Sequence, residues 1–196
     1  MWKKAEEKLI LDEYIGPLIK KYGSCTISKN KRENYFSDIV ESIVGQQLSG
    51  NAADAIFKRL EQALGRIAAK NIIKAKKQEL RNCGLSWGKI KYLKDLSHNV
   101  DRGVLVIEKL EVLSNEEIIE NLTKVKGIGR WTSEMFLIFS LARPDIFPVD
   151  DLGIRNGMRK ILNINLEPEK IKKFALRWKP YRSVAAWYIW KSLDNR

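Results

Sequence analysis

The sequence predicts an all-α protein of about ten short helices. Apolar residues recur at helical spacing through most of the 196 residues, whereas stretches such as 104–108 alternate too poorly to predict a strand. Hydrophobic residues make up 44% of the chain, and this length suits one domain or two small lobes that share a core. A folded helical protein is therefore expected, and intrinsic disorder is not.

Two amphipathic helices are predicted on either side of the polar segment 45–50, where Ser49 is placed to cap the second helix. The apolar face of the first helix contains Phe36, Ile39, Val40, Ile43 and Val44. The face of the second contains Ala53, Ile56, Phe57 and Leu60. A further helix is marked by Ile90, Leu93, Leu96 and Val100.

Caps and prolines delimit the later helices. Ser114, followed three residues later by Glu117, predicts a capping box at the start of a helix. Pro168 suits the first turn of a helix that runs to Trp178. Pro180 ends that helix, because proline cannot continue it, and a last helix follows near the C-terminus.

The chain carries an excess of positive charge. It has 36 Lys and Arg against 24 Asp and Glu, a net charge of +12 and a pI near 9.7. Residues 65–102 contain ten basic and three acidic side chains, residues 155–182 form a second basic stretch, and residues 103–123 contain five Glu against one Lys. This segregation favours a polyanionic partner such as nucleic acid, although ordinary solvated helix faces would also produce it.

The chain lacks the residues that several classes of enzyme need. Cys25, Cys83 and the single histidine His98 cannot form a Cys₄ zinc or iron–sulfur site, and His98 lies beside no nucleophile motif. Neither a GxxxxGK[ST] phosphate loop nor a GxGxxG motif opening a βαβ unit occurs. We therefore expect no organic cofactor, and carboxylates are the expected catalysts.

The sequence also predicts no association with membranes. No apolar run approaches the ~18 residues that cross a bilayer, and the N-terminal segment carries charges where a signal peptide has its apolar core. The protein is expected in the cytoplasm, associated with the nucleoid, or in the nucleus if the organism is a eukaryote.

Residues 122–134 predict two helices joined by a tight hairpin. One helix ends near Lys124, Gly127 and Gly129 form the turn, and the next helix begins near Arg130. Glycines allow close approach of a phosphate, and the first N–H groups of a helix are unpaired donors at the positive end of its dipole. With the added charge of Lys126 and Arg130, the hairpin suits binding of a nucleic-acid backbone without choice of sequence.

Paired acids follow this hairpin. Asp150 and Asp151 come directly after a turn bounded by Pro148. An acidic residue just before a helix is a good N-cap, so the residues alone predict a capping role for both members of this pair.

Four segments resemble one protein family in composition and order. They are SIVGQQLS (42–49), LTKVKGIGRWTSEMFLIF (122–139), FPVDDLGIRNG (147–157) and RWKPYRSVAAWYIW (177–190). Together they resemble the helix-hairpin-helix superfamily of DNA base-excision glycosylases, and within it the compact form of the alkylated-base branch, 3-methyladenine DNA glycosylase II. The resemblance implies a lobe at 38–145 that contains the hairpin, a second lobe formed by 1–37 with 146–196, and an active-site cleft between them.

The resemblance implies a chemistry that needs one carboxylate. An alkylated purine is cationic and leaves readily, so the enzyme has to stabilise an oxocarbenium-like sugar and orient water. The family's essential aspartate corresponds to Asp151, and Asp150 is the alternative, expected instead to cap the helix. Trp131 occupies the position where members that also cut the backbone carry a lysine, which implies hydrolysis without lyase activity.

Other roles follow from the same resemblance. Gln47 is expected to fill the gap left by the flipped nucleotide, with Leu48 as the alternative and Gln46 bonding locally. The expected base pocket consists of Trp190, Trp131, Met135 and Phe36, where Met135 departs from the tyrosine of some members. Trp2, Trp87 and Trp178 are expected to be structural.

The expected DNA contacts come from the hairpin, from a second turn and from the wedge. They are Gly127, Gly129, Arg130, Lys126, Thr132, Gln47, Leu48, Ser86 and Lys89. The resemblance also implies a monovalent cation on the backbone carbonyls of Val125 and Ile128. The expected partner is duplex DNA with alkylated bases, bound by a monomer. Two rival functions stay open, a non-catalytic DNA-binding protein and a glycosylase for deaminated or oxidised bases.

Overall fold

The computed structural model describes residues 1–48, 50–164 and 166–193. Within these ranges the chain forms twelve α-helices, three 3₁₀ helices and one π-helix, and no strand, which confirms the all-α prediction. None of the described helices is long and apolar enough to cross a membrane. The α-helices are α1 (Lys3–Leu9), α2 (Ile15–Tyr22), α3 (Tyr35–Gly45), α4 (Gly50–Leu64), α5 (Ala69–Lys74), α6 (Lys77–Asn82), α7 (Trp87–Asp101), α8 (Asn115–Thr123), α9 (Arg130–Met135), α10 (Leu152–Leu162), α11 (Pro168–Phe174) and α12 (Arg182–Lys191). The 3₁₀ helices are Arg32–Asn34, Ile107–Val112 and Ala175–Trp178, and the π-helix is Phe136–Ser140.

The chain divides into two units. The middle unit is Asn30–Phe136, and the terminal unit combines Met1–Lys29 with Leu137–Arg196. These limits differ from the predicted 1–37, 38–145 and 146–196.

Local contacts explain the difference at both boundaries. The Asn30 side chain donates a hydrogen bond to Asp38 at 2.9 Å, which ties residues 30–37 to α3. On the other side, the Ile146 amide donates to Ser183 Oγ at 2.9 Å and the Phe139 ring packs on Trp190, so residues 137–145 belong with α12.

The middle unit is built from amphipathic helices whose predicted faces are buried in part: Ile39, Val40, Ile43 and Val44 are buried on α3, but only Leu60 is buried on α4. α3 packs on α4, α7 and α9, α5 packs on α7, and α8 packs on α9. The predicted capping box is confirmed, because the Ser114 amide donates to Glu117 Oε2 at 2.7 Å and the Glu117 amide donates to Ser114 Oγ at 3.3 Å. Ser49, the predicted cap of α4, lies outside the described residues.

α12 is the centre of the terminal unit. Its residues 183–189 are all buried, and α1, α2 and α10 pack around it. A helix that is apolar all round is expected to be enclosed in this way. Pro168 occupies the first turn of α11, which continues as a 3₁₀ helix to Trp178, and Pro180 precedes α12 as predicted.

A glycine sets the closeness of α10 and α12. A Cβ added at Gly157 would lie 2.3 Å from the Ile189 side chain, so the two helices can approach this closely only without a side chain at position 157. The contact brings the start of α10, and with it Asp151, next to Trp190 on α12.

Candidate active site and nucleic-acid interface

The hairpin predicted at 122–134 is present between α8 and α9. Gly127 has a φ of +83°, and a Cβ there would lie 2.2 Å from the Tyr92 ring, so the turn closes onto that ring only because this residue is glycine. Gly129 is the N-cap of α9, and a side chain there would meet nothing within 4 Å. The first N–H groups of a helix have no acceptor one turn earlier in the same helix, which is the property that anion binding at a helix start uses.

The basic residues of the hairpin differ in availability. The Arg130 guanidinium donates to both carboxylate oxygens of Glu116, at 3.2 and 2.9 Å, and to Glu134 at 3.2 Å. The hydrogen bonds with Glu116 raise the pKa of Arg130. In the free protein Arg130 is therefore engaged by carboxylates, and its contact with DNA stays a prediction. The Lys126 side chain is exposed, and its amide donates to Asp95 Oδ2 at 2.9 Å.

The turn between α3 and α4 is joined to the hairpin by Gln46. Its side-chain nitrogen donates to the Gly127 carbonyl at 2.9 Å and to Thr132 Oγ1 at 3.2 Å, so Gln46 bonds across the unit and not locally. Thr132 is 4% exposed, so its hydroxyl is inside, although the residue lines the same depression as the hairpin glycines, and its contact with DNA stays a prediction. Gln47 is exposed at a φ of +57°, a conformation that is costly for a residue with a side chain, and Leu48 is 40% exposed. Both wedge candidates therefore project outward.

The second predicted DNA contact has an internal role. Ser86 caps α7 by accepting the Lys89 amide at 3.2 Å. The Lys89 ammonium donates to the carbonyls of Val44 at 2.7 Å and Gln46 at 2.8 Å, and burial lowers the pKa of Lys89. It therefore completes the C-terminal end of α3, where carbonyls lack helical partners, so in the free protein its amine serves these carbonyls and not a phosphate.

These elements surround one depression of about 460 Å³. The wedge turn, the start of α7 and the hairpin all contribute to its wall. Its lining includes Gln46, Gln47, Ser86, Lys89, Gly127 and Trp131.

The predicted base-pocket residues of the middle unit do not share one cavity. Trp131 is half-buried in the depression just described, and Met135 is half-buried on the same helix. Phe36 lines a different depression, which corrects its assignment. The reason is that the adjacent Tyr35 takes the core position on α3 and packs edge-on against Phe136, with ring centroids 5.6 Å apart. The depression at Phe36 also includes Arg32, Arg66, Ile67 and Ile107.

Asp151 and Trp190 are brought together in the terminal unit. Asp151 is the N-cap of α10, and its Oδ1 accepts the Ile154 amide and the Trp190 indole N–H, each at 2.8 Å. Trp190 is half-buried and packs on Phe139, with ring centroids 5.5 Å apart. A Cβ at Gly153 would lie 2.9 Å from Asp151 Oδ1 and 3.0 Å from the Trp190 ring. Gly153, which the sequence did not single out, is thus required for this arrangement.

Asp150 was expected to cap the helix, but it does not. Its side chain is exposed, and its carboxylate lies 3.9 Å from the Arg155 guanidinium. Asp151 is the cap instead, so the residue expected to be catalytic also has the structural role that was assigned to its neighbour.

Of the three tryptophans that were predicted to be structural, two are buried and one is exposed. Trp178 is fully buried, and Trp2 is buried with its indole N–H donating to the Ile27 carbonyl at 2.7 Å, so both are structural. Trp87 is 57% exposed, and the prediction that it is structural is wrong, since it is the first residue of α7 and points away from the core.

Comparison with known proteins identifies the family. Residues 40–182 match the HhH-GPD superfamily of base excision DNA repair proteins. The chain belongs to this superfamily. DNA-3-methyladenine glycosylase 1 of Schizosaccharomyces pombe is 40% identical over 190 residues, covering 93% of this chain and 83% of the relative.

Solved structures of HhH-GPD proteins agree with the assignment. The 3-methyladenine DNA glycosylase (Mag1) of Schizosaccharomyces pombe in complex with abasic DNA has a TM-score of 0.87 at 39% identity, with 97% of this chain and 96% of that chain covered. DNA-3-methyladenine glycosidase of Bacillus halodurans has a TM-score of 0.84 at 34% identity, with 99% and 91% covered. These similarities confirm the predicted superfamily and its alkylated-base branch.

Proposed function

We propose that this HhH-GPD protein is a monofunctional DNA glycosylase that hydrolyses the N-glycosidic bond of alkylated purines in duplex DNA. The observation that carries the proposal is the Asp151 carboxylate, held by two N–H donors beside the Trp190 ring. The names of the similar proteins, DNA-3-methyladenine glycosylase among them, support the same chemistry.

Asp151 stabilises the charge that develops on the sugar. In an alkylated purine the base already carries positive charge, so the C1′–N bond breaks with its electron pair leaving on the base. The cationic sugar is stabilised by the Asp151 carboxylate, and water then adds to C1′ and loses a proton. Because the Ile154 amide and the Trp190 N–H fix one oxygen of Asp151, the carboxylate does not have to reorient during the reaction.

The aromatic residues bind the extruded base. A cationic purine is attracted to the face of an indole ring, and the Trp190 ring lies next to the catalytic carboxylate. Extrusion costs a few kcal/mol of lost stacking. Gln47, exposed in a strained conformation, fills the gap in the duplex, with Leu48 as the neighbouring alternative.

The hairpin binds the DNA backbone. The start of α9, which follows the glycine turn, binds a phosphate, and the exposed Lys126 adds charge. Such contacts hold any sequence, as a search for rare lesions demands. Because Trp131 stands where a Schiff-base lysine would have to be, the product is an intact abasic site.

A monovalent cation on the hairpin is part of the proposal. The Val125 carbonyl accepts the Ile128 amide at 3.1 Å and has a second lone pair, and carbonyl oxygens are suitable ligands for hard cations. Among the described residues no cluster of His, Cys, Asp and Glu side chains is arranged to hold a metal. The carbonyls of Val125 and Ile128 would hold the cation and so strengthen the phosphate contact. The protein acts as a monomer on chromosomal DNA, because one chain carries the carboxylate, the indole and the hairpin.

The substrate class can be tested by the bases released. The wild-type protein is incubated with methylated duplex DNA, and the free bases are separated by liquid chromatography. We expect methylated purines, and no covalent DNA adduct on addition of borohydride. Release of bases from duplexes with deaminated or oxidised bases, but not from methylated duplex, would replace the substrate class. A trapped adduct would refute hydrolysis without lyase activity, and binding without release would favour the non-catalytic rival.

A further inference from the structure

A third depression includes the hairpin residue Lys126 in its lining. It measures about 660 Å³, within the range of ligand sites, and its lining includes Lys77, Trp87, Lys91, Lys94, His98 and Lys126. We refer to it as the Trp87 depression. It is separate from the depression lined by Gln47 and Trp131.

The charge of the Trp87 depression selects an anionic occupant. Within the described residues, no carboxylate forms an ion pair with the amines of Lys77, Lys91 or Lys126. Its one acid, Asp95, already accepts the Lys126 amide. Lys94 does not add to the available charge, because its amine donates to three backbone carbonyls at the end of α5.

The hairpin forms a wall of both depressions. Gly127 and Gly129 line the one described above and Lys126 lines the Trp87 depression, while the turn itself closes on the Tyr92 ring between them. The two depressions therefore adjoin at residues 126 and 127 of the hairpin. This continuity favours nucleic acid over an acidic protein as the occupant.

The exposed Trp87 indole favours single-stranded over duplex DNA as the occupant. Trp87 is 57% exposed although the Arg81 guanidinium lies over its ring at 5.8 Å. Bases inside a duplex are stacked on one another, so lysines alone would suffice to bind its phosphates. An aromatic side chain in a basic groove is the combination that binds unpaired bases, because each base has a face that can stack.

We propose that the Trp87 depression binds an unpaired segment of the DNA strand that leaves the hairpin. One base stacks on Trp87, and the phosphates lie near Lys77, Lys91 and Lys126. This inference rests on the proposed DNA glycosylase function. It implies that the enzyme binds a lesion beside a gap, a flap or a fork more tightly than one in an uninterrupted duplex.

The test compares two DNA probes by fluorescence anisotropy. One is a blunt duplex with an abasic-site analogue, and the other adds an unpaired extension of about eight nucleotides, within the known range of single-strand sites. Extensions at the 5′ and at the 3′ end of the lesion strand are measured separately. We expect one of them to lower Kd about 10-fold, the effect of one stacked base. Trp87→Ala should remove this gain and leave the blunt-duplex Kd and base release unchanged, while Trp87→Phe retains most of it.

Lys58→Ala is the matched control, since it removes a charge from an exposed position on α4 outside the depression. It should retain the gain, and circular dichroism confirms the fold of each variant. The proposal is overturned if neither extension tightens binding, if Trp87→Ala keeps the gain, or if it weakens binding of the blunt duplex equally. Binding of a glutamate-rich peptide through Trp87, without a gain from the extension, would overturn it in favour of an acidic protein partner. Failure of the proposed function would differ, because then the blunt duplex would not be processed at all.

Discussion

Replacing Gly153 by alanine should damage catalysis without damaging the fold. The new Cβ would lie 2.9 Å from Asp151 Oδ1 and 3.0 Å from Trp190 Cδ1, both shorter than ordinary contacts. The carboxylate and the indole must therefore move by several tenths of an ångström. A misplacement of ~1 Å can cost ~100-fold in rate, so we expect a loss of about 10-fold in the single-turnover rate.

Stability should respond differently from activity. Gly153 lies in the first turn of α10, where alanine is favoured over glycine by up to ~1 kcal/mol, and this gain offsets part of the steric cost. We expect Tm to change by no more than about 3 °C, since ~1 kcal/mol corresponds to that shift in a chain of this size.

The assay is single-turnover release of methylated purine from duplex DNA, with the abasic product cut by alkali and measured on a gel. Gly45→Ala is the control, because its Cβ would meet only the Ala53 Cβ at 3.9 Å. A wild-type rate in Gly153→Ala, with the fold intact, would show that the position of Asp151 relative to Trp190 does not matter for the reaction.

Three further predictions concern charge and thiols. Lys89→Met removes the hydrogen-bond partner of the Val44 and Gln46 carbonyls, so it should lower the free energy of unfolding in urea by about 1–3 kcal/mol. The salt dependence of DNA binding should stay unchanged, and a slope reduced by ~0.9 would instead place Lys89 on a phosphate. Wild-type affinity should fall steeply with salt, by a slope of ~0.9 per phosphate contact in a plot of log K against log salt, and a flat plot would contradict binding through the basic surface. Burial raises the pKa of Cys25 to about 11 and also raises that of Cys83, so at pH 8 the Cys25 thiolate is roughly 100-fold scarcer than in a free thiol. Labelling of the native protein should therefore be slow and accelerate with rising pH, and rapid labelling at pH 8 would refute this.

Periodicity in the sequence predicted α3, α4 and α7, whereas α1, α2, α5 and α6 were not located. On α3 the residues Ile39, Val40, Ile43 and Val44 are all buried as their spacing indicated. The capping box at Ser114 and the glycine turn at 127–129 are equally local signals, and both are present. Such signals are reliable because they depend on neighbours within a few residues along the chain.

The partners of charged side chains were not predictable in this way. Lys89 and Arg130 have the residue type that binds phosphate, yet their acceptors are carbonyls 43–45 residues away and the carboxylate of Glu116 on another helix. Phe36 has the spacing of a core residue, but the adjacent Tyr35 occupies that place. The sequence alone does not indicate which of two neighbouring residues on a helix faces the interior, because tertiary packing decides this.

Asp151 was identified only through the family resemblance, because the residues alone predicted a cap. The structure gives a physical signal that the sequence lacked, since one Asp151 oxygen accepts both a helix amide and the Trp190 indole N–H. Gly153 had a local signal, a glycine in the first turn of a helix, whose reason is visible only from its distance to Trp190.

The central claim is that Asp151 carries out the chemistry and not the binding of DNA. The direct measurement is Asp151→Asn, which keeps the size of the side chain and an oxygen for the Ile154 amide, assayed both for duplex affinity and for single-turnover release of methylated purines. The account predicts wild-type affinity for a duplex with an abasic-site analogue and loss of release by a factor of at least ~100, as for removal of a main electrostatic stabiliser. Release at the wild-type rate by the folded variant would contradict it.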